Sequence, residues 1–320
     1  MAFYDIFNGD ADGICALHQL RLTEPREATL VTGIKRDIKL LRRVHPEPGD
    51  QLTVLDISLD ENRGELLRAL EQGAACRYFD HHYCGEIPRH PRLQAFIDTS
   101  PDICTSLLVD RHLQGRQRPW AVAAAFGDNL HEAARRAAEP LRLAEPELER
   151  LRELGECINY NAYGESVEDL HFHPAELYRA LHPYADPFAF MAEHPAFEKL
   201  RQGYREDMAR AAALPPEPVG SAGAAVMLPD AAWSRRVNGV LANRLSRAHP
   251  ERAHAVLVKT GEHYMVSVRA PLARPTGADT LCRRFPTGGG RKGAGGINRL
   301  PATELQRFLK EFSGAFGPAG

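Results

Sequence analysis

Cysteine is sparse in this 320-residue sequence: six residues, Cys15, Cys76, Cys84, Cys104, Cys157 and Cys282, with no CxxC pair and no zinc-ribbon spacing. That excludes a zinc ribbon and a dense disulfide framework, and it points to reduced thiols in a cytoplasmic protein. Long apolar runs are missing as well. None approaches the roughly 18 residues needed to cross a bilayer, and Asp5 breaks any resemblance to the core of a signal peptide. Neither sign of charge is in excess: 40 Lys and Arg against 42 Asp and Glu leave a formal net charge of -2. No global basic field therefore invites long duplex DNA. Also absent are internal repeats, low-complexity tracts, the Gly-Lys-Ser/Thr of a Walker loop and a serine or cysteine triad signature. A calcium loop starting at Asp10 fails too, because Arg21 stands where a Glu is needed.

What is present suits a soluble globular chain long enough for two domains, 43% hydrophobic and 26% charged. Apolar runs at 2–7, 28–32, 52–55, 75–79 and 93–98 read as strands. Leucine and isoleucine at helical spacing between them read as helices over 14–22, 34–44 and 60–72. This alternation predicts an N-terminal doubly wound, mostly parallel α/β sheet. Helices follow near 104–114, 119–127, 130–140 and 145–158. An amphipathic helix at 196–213 ends at Pro215-Pro216-Glu217-Pro218 and reads as a connector. Beyond it a smaller α/β pattern has strands near 224–228, 254–259 and 264–269, helices near 231–247, 277–285 and 302–313, and a glycine-rich loop at 288–296. The expected division is 1–195, a connector at 196–218, and 219–320.

The apolar runs end in acid. The first leads into Asn8-Gly9-Asp10-Ala11-Asp12-Gly13, the third into Asp56, and the fourth into Asp80-His81-His82. Asp128 follows another apolar run. In an open α/β sheet ligands bind beyond the carboxyl ends of the strands. If these strands are neighbours, carboxylates and imidazoles converge on one crevice, and crowded carboxylates call for divalent cations. Each motif has an ordinary reading beside this one: Asp10 or Asp12 as a helix N-cap, Asp56 as a strand terminator, Asp80 as a loop cap. The second signal is Gly288-Gly289-Gly290-Arg291-Lys292, where consecutive glycines free backbone N–H groups to close around an anion beside two cations. Ser267 and Arg269 on the preceding strand add a donor and a charge. His171 and His173 have the spacing of strand ligands, but Pro174 and nearby acids favour a solvated loop. Asn159, Tyr160 and Asn161 are further lining candidates.

In this order the motifs resemble the DHH phosphoesterase superfamily with a C-terminal DHHA1 domain, RecJ-related and similar to oligoribonucleases and bisphosphate phosphatases. The resemblance spans nearly the whole chain. It implies two Mn²⁺ ions per chain, with Mg²⁺ or Co²⁺ as substitutes. Asp56 would bridge them; Asp12, His81 and Asp128 would hold one, and Asp10 would help hold the other. His82 would face the substrate phosphate, Asp80 would orient its histidine neighbour, and Gly288 to Lys292 would grip the non-scissile end. Two departures stand out. Where many members carry a metal-binding His before the first Asp, this chain has Ile6, Phe7 and Asn8, with Asn8 offering an oxygen. Arg291 replaces the His of the DHHA1 GGGH signature, keeping charge at any pH.

The expected activity is metal-assisted hydrolysis of a short phosphorylated substrate: an oligoribonucleotide, a nucleoside bisphosphate or a linear dinucleotide. Water activated by two metals would attack phosphorus. The alternatives are an exopolyphosphatase-like enzyme and a non-catalytic phosphate or nucleotide binder with a degenerate first metal site. A homodimer is compatible with either.

Overall fold

The computed structural model of the protein describes residues 1–221 and 223–317. The chain divides into two compact units, 1–202 and 203–320.

The first unit opens with β1 (Phe3–Phe7), α1 (Ala11–Thr23), β2 (Thr29–Val31), β3 (Gln51–Leu55), α2 (Leu59–Glu71), β4 (Ala75–Asp80) and β5 (Leu93–Ile97). The strands form one sheet in the order β2-β1-β3-β4-β5, all parallel. β1 therefore lies between the two strands that follow it in sequence, which makes it the point where the winding reverses and a crevice opens beyond the carboxyl ends. On one face Ile6, Leu52, Val54 and Tyr78 pack with Leu66 and Leu70 of α2. Helices complete the unit: α3 (Thr105–His112), α4 (Arg118–Gly127), α5 (His131–Ala138), α6 (Glu145–Asn161), α7 (Pro174–Leu181), α8 (Pro187–Glu193) and α9 (Pro195–Ala212), the last running on into the second unit. Arg21, which spoils the calcium loop, instead donates to Asp5 at 2.8 Å and Thr53 at 3.1 Å in the core.

One expected helix does not form. Residues 34–44 are irregular apart from a single 3₁₀ turn at Leu40–Arg43. The backbone groups that a helix would bond internally go to distant partners. Lys35 N–H donates to the Ala162 carbonyl at 2.9 Å, and the Lys35 carbonyl accepts from Asn8 Nδ2 at 3.2 Å. Asn62 holds both the Ile38 carbonyl, at 2.7 Å, and the Leu41 N–H, at 3.3 Å. The apolar spacing that suggests a helix still serves burial: Leu40, Leu41 and Val44 all enter the core.

The second unit contains β6 (Glu217–Val219), β7 (Gly223–Leu228), α10 (Ala232–Ala248), β8 (Ala253–Thr260), β9 (His263–Arg269), α11 (Ala278–Cys282), β10 (Gly288–Arg291), β11 (Ala294–Pro301) and α12 (Leu305–Phe316). Its mixed sheet runs β10-β11-β9-β8-β7-β6. Phe308, Phe312 and Phe316 of α12 and Leu281 of α11 join Leu257, Val266, Val268 and Ile297 in its core. Two expectations are corrected here. The helix expected over 277–285 stops at Cys282, and the glycine-rich stretch at 288–296 is a β-hairpin, β10 paired antiparallel with β11. No helix among the described residues is long and apolar enough to cross a membrane.

Candidate metal centre

The acidic tips converge. His81, just past β4, is the hub. Its Nδ1 lies 2.8 Å from the Ile103 carbonyl. A carbonyl only accepts, so Nδ1 carries a proton and Nε2 is the ring nitrogen turned toward the carboxylates. That Nε2 lies 3.3 Å from Asp56 Oδ1, 3.8 Å from Asp12 Oδ2 and 3.9 Å from Asp128 Oδ2. Two sets of side chains bring a ligand atom each within 4.8 Å of one another: Asp12, His81 and Asp128, and Asp56, His81 and His82.

The elements explain these positions. Asp12 lies in the first turn of α1. Its Oδ2 and Oδ1 accept the N–H groups of Thr105 and Ser106, each at 2.7 Å, at the N-terminus of α3. One acceptor direction on each oxygen is left over. Asp56 follows β3 with φ +60, a left-handed conformation that costs a non-glycine residue about 1 kcal/mol. The twist turns its carboxylate off the strand axis, and Thr105 Oγ1 donates to it at 3.0 Å. Asp128 is the C-cap of α4. Asp80 accepts from both His82 Nδ1, at 2.8 Å, and His82 N–H, at 3.2 Å, so it holds the neighbouring imidazole in one orientation. Gly9 and Gly13 serve close approach: a Cβ would sit 2.0 Å from the Gly33 carbonyl oxygen in one case and 2.2 Å from that of Asn8 in the other.

Burial first, then Asp12, Asp10 and Asp128, raise the Asp56 carboxyl well above the usual carboxylate range. Several carboxylate oxygens and an imidazole nitrogen facing one another at under 4 Å repel unless a proton or a cation lies among them. The donor set, hard oxygens with one borderline nitrogen, fits a divalent ion such as Mn²⁺ or Mg²⁺. Asn8, expected as a ligand, spends Nδ2 on Lys35 and has a buried Oδ1 with no hydrogen-bond partner.

One residue escaped the sequence reading. Lys35 reaches into the cluster, pairing with Asp10 Oδ2, lying 3.2 Å from Asn159 Oδ1 and 3.6 Å from Asp128 Oδ1. Burial costs the ammonium, but Asp10, Tyr163 and Asp128 outweigh it and raise its pKa well above the usual lysine value. Asp10 is likewise pushed up by burial, and Lys35 more than reverses that, leaving it lowered. Asp10 is also the N-cap of α1, its Oδ1 accepting from Asp12 and Gly13 N–H at 3.0 Å each. The ordinary capping role and the cluster role thus coexist. The one hint in the sequence is the missing His near Asn8, which removes a ligand from the first metal position of the resembled family.

His171 and His173 belong to neither set of mutually close ligand atoms. Tyr160 Oη is 2.8 Å from His171 Nε2, and His173 Nδ1 caps α7 by accepting from Ala175 N–H at 3.2 Å.

In the second unit, Ser267 pairs with Gly296 and Gly296 with Gly289; one step along, Arg269 pairs with Ala294 and Ala294 with Arg291. Cross-strand partners share a face, as do residues two apart. Ser267, Arg269, Gly289 and Arg291 therefore share one face of β9, β11 and β10, opposite Val266, Val268 and Ile297. A Cβ on Gly289 would meet nothing within 4 Å, so bare backbone lies open there. Arg269 is steadied by Asn243, which accepts from its Nε at 2.6 Å, and Lys292 is exposed at the hairpin turn.

No family model and no curated protein matches the sequence. Solved structures match it in shape. Exonuclease RecJ bound to manganese aligns at TM-score 0.66 and 16% identity, over 100% of this chain and 91% of that one. RecJ from Thermus thermophilus in complex with Mn²⁺ aligns at TM-score 0.67 and 17% identity, over 100% of this chain and 52% of that one. The chain has the RecJ fold. A third chain that this RecJ-fold protein resembles is PggH, a pGpG-specific phosphodiesterase from Vibrio cholerae, at TM-score 0.54 and 12% identity, over 98% of this chain and 100% of that one.

Proposed function

We propose that the protein is a divalent-metal-dependent phosphoesterase of the DHH type, acting on short phosphorylated substrates such as oligoribonucleotides, nucleoside bisphosphates or linear dinucleotides. The observation that carries this reading is that His81 Nε2 lies within 4 Å of three carboxylates from three separate segments. The manganese in the RecJ structures and the dinucleotide substrate named for PggH lend it support.

Asp12, Asp56, His81 and Asp128 would hold the ion. When bound, such an ion supplies a Lewis acid that acidifies water toward neutral pH and draws charge from phosphoryl oxygens. The chain's own residues do the rest. Ile103 fixes the His81 tautomer, Thr105 and Ser106 fix Asp12, and the strained backbone at Asp56 presents its carboxylate. His82 Nδ1–H is spent on Asp80, so Nε2 is the atom available to a phosphoryl oxygen or leaving group, and the side chain is 32% exposed. Ser267, Arg269, Arg291 and Lys292, with Gly288 to Gly290, would bind the non-reacting end of the substrate.

The experiment is a Mn²⁺-supplemented turnover screen of 5′-labelled short RNA, 3′-phosphoadenosine 5′-phosphate, linear dinucleotides and polyphosphate. Release of phosphate or mononucleotide from one of the first three, abolished by EDTA, is expected. Preferred polyphosphate cleavage would replace the substrate class, and nucleotide binding without turnover in Mn²⁺, Mg²⁺ or Co²⁺ would sink the enzymatic reading.

A further inference from the structure

We propose that the Lys35 ammonium is a built-in cation standing in for one of the two expected metal ions, so that the chain holds a single divalent ion. This rests on the metal-dependent reading above and fixes how many ions it uses.

Three observations converge. First, both oxygens of Asp10 are engaged. Its Oδ1 accepts two backbone N–H groups at the start of α1, and its Oδ2 pairs with Lys35. It belongs to neither set of mutually close ligand atoms found among the described residues, whereas Asp12, Asp56, His81, His82 and Asp128 do. Second, Asp128 is divided between two positions: its Oδ1 faces the Lys35 ammonium at 3.6 Å, and its Oδ2 faces His81 Nε2, the nitrogen turned toward the proposed ion, at 3.9 Å. A carboxylate arranged this way bridges two cation positions, one already filled by the ammonium. Third, Lys35 is held on every side. Its N–H is bound by Ala162, its carbonyl by Asn8 and its Nζ by Asn159. A solvated lysine that strayed in by chance would not be anchored at both backbone groups, and its side chain is only 24% exposed.

The chemistry is consistent. An ammonium is a compact point charge that neutralises carboxylates and donates to phosphoryl oxygens, but unlike a metal it cannot acidify water by coordination. The Lewis-acid work would then fall to one ion, on the His81 side, with Lys35 supplying fixed charge on the Asp10 side. Asn8, in the segment where many members of the resembled family place a histidine ligand, acts as a positioning residue for Lys35.

The test counts ions. The full-length protein is stripped with EDTA, equilibrated with Mn²⁺, and assayed by metal analysis and electron paramagnetic resonance. The expected result is one Mn²⁺ per chain with the six-line spectrum of an isolated ion. Lys35→Asp, which replaces the cation with a further ligand, should raise the count to two and give an exchange-coupled spectrum. Two ions in the parent protein, or a count unmoved by Lys35→Asp in a variant with unchanged circular dichroism, overturns the inference and leaves the phosphoesterase reading standing. No bound Mn²⁺ in either protein overturns both. Should Lys35→Asp fail to fold, Lys35→Met takes its place: it must weaken turnover without lowering the count of one, and a count of zero in it sinks the proposal.

Discussion

At the scale of single residues, Asp56 combines a left-handed backbone with a carboxyl group crowded by Asp12, Asp10 and Asp128. Asp56→Asn keeps a side chain that tolerates left-handed backbone while removing the negative charge. Turnover should fall on the order of 1000-fold, since several kcal/mol of charge stabilisation depend on the ion it helps hold, and Mn²⁺ retention after gel filtration should drop with it. His18 makes a different prediction. It is buried against Trp120 with Nε2 at 2.8 Å from the Tyr184 carbonyl, and burial pushes its pKa down to about 4 despite that bond. The unfolded chain takes up this proton near pH 6.5, the folded one only near 4. Stability is therefore complete above that window and lost as pH falls through it, by up to about 1.4 kcal/mol per pH unit. Urea midpoints at pH 7 and pH 5 check this, and His18→Gln should shrink the difference, with His254, likewise pushed down to about 4 by burial, supplying a similar part. These are residues whose roles the sequence exposes unevenly. Asp12, Asp56, His81 and Asp128 are legible because each closes an apolar run. Lys35 is not, because its partners Asp10 and Asn159 lie far from it along the chain and it sits in no regular element.

Elements position these residues through close packing. α4 and α6 approach so tightly at Gly155 that an added Cβ would lie 1.9 Å from the Ala123 carbonyl oxygen. A backbone oxygen cannot swing aside. Gly155→Ala should cost about 3 kcal/mol or more, and because α4 ends at Asp128 it should weaken Mn²⁺ binding in whatever protein remains folded. Thermal melts with and without Mn²⁺ measure both effects. The boundaries of β1, β3, β4 and α2 could be read from continuous apolar runs and helical spacing, because strands of a parallel sheet are buried on both faces and α2 packs on the sheet with one face. The irregular stretch at 34–44 defeated the same rule: its apolar residues are buried at helical spacing, but its backbone bonds go to Asn8, Asn62 and Ala162. The 288–296 stretch misled in the opposite direction. Glycine is read as loop, yet here it leaves the edge of a sheet bare beside Ser267.

At the scale of the whole molecule, each of the two units has its own apolar core, and the proposed function assigns metal binding to the first and the substrate grip to the second. Arg291→Ala should raise KM for a short phosphorylated substrate roughly 10- to 100-fold, the worth of one charge-assisted hydrogen bond, while leaving the Mn²⁺ count unchanged. Steady-state kinetics beside metal analysis would show it, and a KM left unmoved removes Arg291 from substrate binding. The order of motifs made the two-part architecture legible before any coordinates, whereas the number of cations was not, since it depends on which carboxylates are already occupied. The proposed ligands come from stretches as remote as Asp12 and Asp128, so the unravelled polypeptide would not bring them together as a chelate. Whatever affinity the native protein has for manganese is then a clasp on the tertiary structure. The thermal midpoint should climb with the logarithm of free manganese, worth about 2.7 kcal/mol at a hundredfold excess over Kd for each ion. A calorimeter run across a manganese series would then reveal how many clasps the molecule wears.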